Sequence, residues 1–198
     1  MNNKKNLRIL YILLVVLVVF WVAASFFRRQ PALKKESDFL ARYRNALALE
    51  DAGNIDGALR AYMALGSDAG KKDDATHVKL HGAFLLFIRN RGDDRNRAID
   101  IYTSVARDGD VSSPYRASSL ANLAYMLQIA FAADTVDPLL AYLTRSEPYA
   151  SLYVDAGEKP IPFIRALFKE AEELSPTALA KFGIVSLDVV SYLDGAED

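Results

Sequence analysis

The chain has 198 residues, 52% of them apolar and 25% charged, with a formal net charge of −1 and no cysteine. Its length allows one or two domains, and the lack of cysteine excludes disulfides, thiolate metal sites, a cysteine nucleophile and lipidation at an N-terminal cysteine. The near-neutral total hides a split: residues 1–37 hold seven Lys or Arg against one acid (net +6), and the other 161 hold 17 bases against 24 acids (net −7). So acidic a domain repels phosphate backbones, which argues against nucleic acid as a partner.

The first element is an apolar run, "ILYILLVVLVVFWVAASFF", residues 9–27, with no charge in nineteen residues. A helix of that length, at about 1.5 Å per residue, matches the hydrocarbon core of a bilayer. Tyr11 and Trp21 lie near its ends, where amphipathic rings favour the interface. A buried core helix fits poorly, because basic residues crowd both ends and no polar face interrupts the run. A cleaved signal peptide is the competitor, with a basic start and "VAAS" near the end. The run exceeds the usual signal core and carries Phe26 and Phe27 beyond the cut, so an uncleaved anchor is expected, residues 1–30 forming a basic tail and one transmembrane helix. Lys and Arg flank both ends. The short basic tail favours a cytoplasmic N-terminus and an exported C-terminal domain in the cell membrane, with the basic flank against anionic headgroups.

Pro31 opens the soluble part. Phe39, Leu40, Tyr43, Ala46 and Leu47 recur at spacings of three and four, predicting a helix that ends at Gly53 and Asn54. Asp56 is expected to cap the next helix, which carries Ala58, Leu59, Tyr62 and Leu65. Leu80, Ala83, Phe84, Phe87 and Ile88 predict a third helix, "NRGDDRN" a turn, and Ala98, Ile99, Tyr102 and Val105 a fourth. Pro114 opens a fifth, with Leu120, Leu123, Ala124, Leu127 and Phe131. After "DTVDP" comes a sixth, with Leu139, Leu140 and Leu143. "GALRAYMAL", "RAIDIYTSV" and "DPLLAYLTR" start forty residues apart, which aligns Ala58, Ala98 and Pro138, then Leu59, Ile99 and Leu139, then Tyr62, Tyr102 and Tyr142. A plain bundle with coincidental spacing is the competing reading. Matching columns of small and large residues favour stacked helix pairs, with the tyrosines buried between them.

The stretch "YRNALALEDAGNIDGALRAYMAL" resembles a tetratricopeptide repeat. Ala46, Gly53, Ala58 and Tyr62 match the family's small residue, turn glycine, second-helix alanine and later aromatic. Gly82, Ala98 and Tyr102 continue the match with a longer connection, and Pro138 departs from it. The resemblance covers residues 38–147 within a repeat region over 31–147. It implies an all-α solenoid of about three helix pairs whose first helices line a groove, with Tyr43, Leu47, Glu50, Ala83, Phe87 and Asn90 facing a partner. Leu47 stands where the family's carboxylate clamp needs asparagine, so an apolar or extended segment is the expected ligand.

Residues 148–198 lose the register. Phe163, Leu167, Phe168, Ala171 and Leu174 predict an amphipathic helix. Ser175 and Pro176 open a last one, with Leu179, Phe182, Val185, Leu187 and Val190, and the pair would cap the solenoid before an acidic tail.

Chemistry is sparse. His77 and His81, the only histidines, share a helical face with Asp73 and Asp74 a turn earlier. The spacing admits a weak metal site, but no HExxH glutamate accompanies it and surface histidines explain the pair better. Asp93 with Asp94, and Glu170 with Glu172 and Glu173, read as a turn and a solvated face rather than acid–base pairs. No GxSxG elbow, calcium loop or phosphate-binding loop occurs. The expectation is a non-enzymatic scaffold without metal or cofactor, anchored through residues 9–27 and binding a membrane-associated protein. The architecture resembles anchored repeat proteins that assist secretion or envelope assembly. The alternatives are a self-assembling structural subunit and an exported ligand-binding, metal-binding or enzymatic bundle.

Overall fold

A computed structural model of the chain describes residues 38–68 and 72–177. The chain divides into two compact units, residues 1–42 and 43–198. The apolar run 9–27 and, beyond its opening at Ser175 and Pro176, the last expected helix lie outside the described residues, among which no helix is long and apolar enough to cross a membrane.

The described residues are all-helical, with no strand. Helix α1 covers 38–51, beginning in the first unit and ending in the second. In the second unit follow α2 (Ile55–Asp68), α3 (Lys72–Arg89), α4 (Asp94–Arg107), α5 (Ser113–Ala132), α6 (Asp137–Leu143), α7 (Tyr149–Asp155) and α8 (Pro160–Leu174). Gly53 ends α1 at φ +71°, the left-handed region where a Cβ is costly. The cap of α2 is Asn54, whose Oδ1 accepts the Gly57 N–H at 3.0 Å. Asp56, expected as the cap, lies inside the first turn and serves a different purpose.

Successive helices pack in a helical-repeat-like arrangement. α2 lies on α3, α3 on α4 and α4 on α5, while α3 also touches α5 and α4 touches α6. One layer thus holds α3 and α5, and the other α4 and α6. Ala58 and Ala98 are wholly buried, and Leu59, Ile99, Tyr62 and Tyr102 lie in the core with them. Small residues let backbones approach, and the rings fill the space between them. The third member of each column behaves differently: Pro138 is exposed, and Tyr142 is half-buried, donating its hydroxyl proton to the Asp100 carboxylate at 3.0 Å.

Asp56 reappears at the α3–α4 turn. Arg89 donates from Nε and Nη2 to the two oxygens of Asp94, each at 2.7 Å, and from Nη1 to Asp56 at 2.9 Å. The Arg91 N–H also donates to Asp94, and the Arg91 guanidinium to Asp56, both at 3.0 Å. Asp94 is only 3% exposed. A paired, fork-shaped contact of this kind is what makes a buried carboxylate tolerable. It ties the start of α2 to the turn that begins α4.

The chief partner of α5 is α8 rather than α6. Phe163, Ile164, Leu167, Phe168 and Ala171 form the buried stripe of α8, facing an α5 whose Leu123, Ala124 and Leu127 are also buried. The amphipathic helix expected here is therefore present. The short α7 has no periodic signal of its own; it buries Tyr149 beneath the Arg107 guanidinium, 4.8 Å from the ring centroid, and burial pushes the phenol up to about 12.

Candidate functional site

The first helix of each pair carries the candidate site. Tyr43, Leu47 and Glu50 are half-buried on α1. Ala83 and Phe87, expected beside them on α3, are buried in the core, with Arg95 lying over the Phe87 ring, and Asn90 sits past the end of α3 at φ +49°. The α3 residues next to Tyr43 are instead His77 and His81.

The reason is a difference of register between the layers. Second-helix positions repeat at forty residues, as the buried Ala58/Ala98 and Tyr62/Tyr102 pairs show. Tyr43, however, meets residues 34 and 38 positions on, not 40. Two residues along a helix amount to about 200° of rotation. Carrying Tyr43 forward by forty therefore lands on the side of α3 opposite to His81, in the core.

The cluster itself is polar and aromatic. Tyr43 Oη lies 2.7 Å from His77 Nε2 and 3.3 Å from His81 Nε2. His81 Nδ1 lies 3.5 Å from Glu50 Oε2, which also accepts the Tyr62 hydroxyl proton at 2.8 Å. Tyr62 stacks on His81 with ring centroids 5.1 Å apart, and His77 makes an edge contact with Tyr115 of α5 at 6.0 Å. One proton assignment satisfies the chain: His77 Nε2–H donates to Tyr43, Tyr43 donates to His81 Nε2, and His81 turns its Nδ1–H toward Glu50. The histidines are thus a partly buried network joining α1, α2, α3 and α5, not solvated surface residues.

Electrostatics follow from this packing. Burial lowers His77 below the usual histidine range, helped by His81 and opposed by Asp74. Burial raises Tyr43, with Glu50 and then Tyr115 adding to the effect. Tyr62 is raised strongly, first by burial and then by its bond to Glu50. All four groups favour their neutral, hydrogen-bonding forms near neutrality if Tyr115, raised by burial and by Asp73 and Asp74, is counted with them.

Below the cluster, two stripes run side by side. On α3, His77, His81, Phe84 and Ile88 share one face, and Ile88 is 49% exposed. On the adjoining α5, Tyr115, Asn122, Tyr125 and Ile129 do the same, with Tyr125 38% and Ile129 37% exposed. Large apolar side chains left partly open on neighbouring helices form a surface suited to an apolar segment.

The remaining candidates fall to structural roles. Asp94 is the buried ion-pair partner of Arg89, and Asp93 accepts from Asn96 Nδ2 at 2.6 Å. Glu170, Glu172 and Glu173 are exposed on α8, Glu173 lying 3.9 Å from Lys169. Among the described residues no group of three or more His, Asp or Glu is placed to share a metal ion. No family model matches the chain, and no curated protein or solved structure matches it.

Proposed function

We propose that the chain is a single-pass membrane protein whose residues 9–27 anchor a tetratricopeptide-like scaffold, and that the scaffold binds an apolar or extended segment of a membrane-associated protein. The observation that carries this reading is the pair of adjoining stripes, Phe84 with Ile88 and Tyr125 with Ile129, below the histidine–tyrosine cluster. The groove assigned to Tyr43, Leu47 and Glu50 continues along these residues rather than along Ala83 and Phe87. Tethering raises the effective concentration of a partner in the same membrane, so modest affinity suffices. No nucleic acid partner or reaction is proposed. The soluble unit sits on the exported side, with the N-terminus in the cytoplasm.

The test is co-purification from detergent-solubilised native membranes. The wild-type chain retains a foreign protein in constant ratio, and Ile88→Asp combined with Tyr125→Asp releases it while the far-UV circular dichroism stays unchanged. Retention by the double variant, or retention only of further copies of this chain, refutes the assignment.

A further inference from the structure

We propose that His77 and His81 form a binding site for a divalent transition-metal ion of the zinc class, with Tyr43 as third donor. The site lies beyond the partner-binding reading and does not depend on it.

Residues four apart on a helix share a face, and here that face is fixed by the long, well-packed α3. The two imidazoles stand with centroids 4.8 Å apart, and both turn Nε2 toward one point, the Tyr43 oxygen, at 2.7 and 3.3 Å. Once His77 carries its proton on Nδ1 instead of Nε2, two ring nitrogens and the phenol oxygen are three donor atoms within reach of one ion. A carboxylate lies behind the nearer shell: Glu50 Oε2 is 3.5 Å from His81 Nδ1. An outer carboxylate on the far ring nitrogen is the arrangement that fixes a metal-bound imidazole, because it keeps the proton on Nδ1 and leaves the Nε2 lone pair facing inward.

The donor set also selects the ion. Two imidazole nitrogens suit zinc, nickel or copper, while calcium and magnesium need several oxygens and find one here. Among the described residues no third His, Asp or Glu joins the inner donors, so water completes the coordination, and the side chains of His81 and Glu50 are 28% and 22% exposed, leaving a path for it. Binding replaces the His77–Tyr43–His81 hydrogen bonds by metal bonds: His77 moves its proton to Nδ1, and Tyr43 releases its hydroxyl proton to water as its oxygen joins the ion. Because Tyr43 belongs to α1 and the histidines to α3, the ion would hold the two helices together.

The experiment uses tag-free full-length chain in detergent, stripped with a chelator and titrated with Zn²⁺, Mg²⁺ or Ca²⁺. The chain has two histidines, so the imidazole nitrogen signals in a ¹H–¹⁵N spectrum report only this site. Zinc is expected to move both rings together, saturating at one equivalent, and to raise the melting temperature by roughly 3–6 °C at ten times the dissociation constant. Magnesium and calcium move neither. His77→Gln or His81→Gln weakens zinc binding at least about 100-fold, and Glu50→Gln, which removes the outer carboxylate facing His81 Nδ1, about 10-fold or more. Unmoved rings at millimolar zinc, one ring responding alone, or a thermal shift that persists in the double histidine variant overturns the proposal. The wild-type spectrum decides even if a variant fails to fold.

Discussion

Replacing Asp94 by Asn removes a charge from the buried contact that fixes the α3–α4 turn while keeping the side chain's shape. The two Arg89 bonds at 2.7 Å hold the Asp94 carboxyl at about 2, against an ordinary value of 3.8. Each unit is worth about 1.4 kcal/mol, so the folded state gains about 2 kcal/mol from the ionised group. The folded value lies below the unfolded one, so this stability is fully present above the unfolded value and is lost as pH falls toward 2. It should be roughly halved at pH 3. Thermal unfolding of the full chain in detergent, followed by circular dichroism, measures it. Asp94→Asn is expected to lower the melting temperature by roughly 4–8 °C at pH 7 and by about half that at pH 3. The exposed neighbour provides the control: Asp93→Asn stays within about 0.5 kcal/mol of wild type. An Asp94→Asn effect equal at both pH values, or matched by Asp93→Asn, would refute the argument from the ion pair.

Other expectations use the same assay. Tyr62→Phe keeps the buried ring but deletes the 2.8 Å bond to Glu50, and should cost roughly 1–2 kcal/mol; an unchanged melting temperature would show that the bond contributes nothing. Leu167→Ala opens a cavity between α8 and α5 and should cost roughly 2–5 kcal/mol, which a surface change such as Glu172→Ala should not. Gly82→Ala is expected to stabilise by about 0.5–1 kcal/mol. The added methyl would meet only Leu59 Cδ1 at an ordinary 3.8 Å while gaining helix propensity. A loss of stability there would mean that α2 and α3 approach more closely than that distance allows.

The second-helix columns on α2 and α4 were legible because the same positions are buried in both: Ala58 and Ala98 wholly, and Tyr62 and Tyr102 almost so. The groove layer was not, because its register depends on how far the α3–α4 connection displaces α3. A two-residue offset turned Phe87 into the core and Ile88 to the surface, where period alone had treated both as one apolar stripe. The histidine cluster shows the same limit. Four-residue spacing puts His77 and His81 on one face, but only the packing of α1 on α3 brings Tyr43 between them. The α5–α8 contact joins segments separated by two short helices, and no local pattern announces such a pairing. The helix α8 itself was plain from its stripe. The proposed membrane anchor rests on the sequence of residues 9–27 alone, an uncharged run of bilayer length that lies outside the described residues.

Photocrosslinking in native membranes tests the scaffold most directly. Photoreactive residues placed separately at Ile88 and Tyr125 probe the two stripes; Met63, 59% exposed on α2, and Glu172 on α8 serve as controls elsewhere on the surface. The account predicts that both stripe positions capture one and the same foreign membrane-associated protein and that the controls do not. Capture only of a second copy of this chain, or equal capture from all four positions, would contradict it.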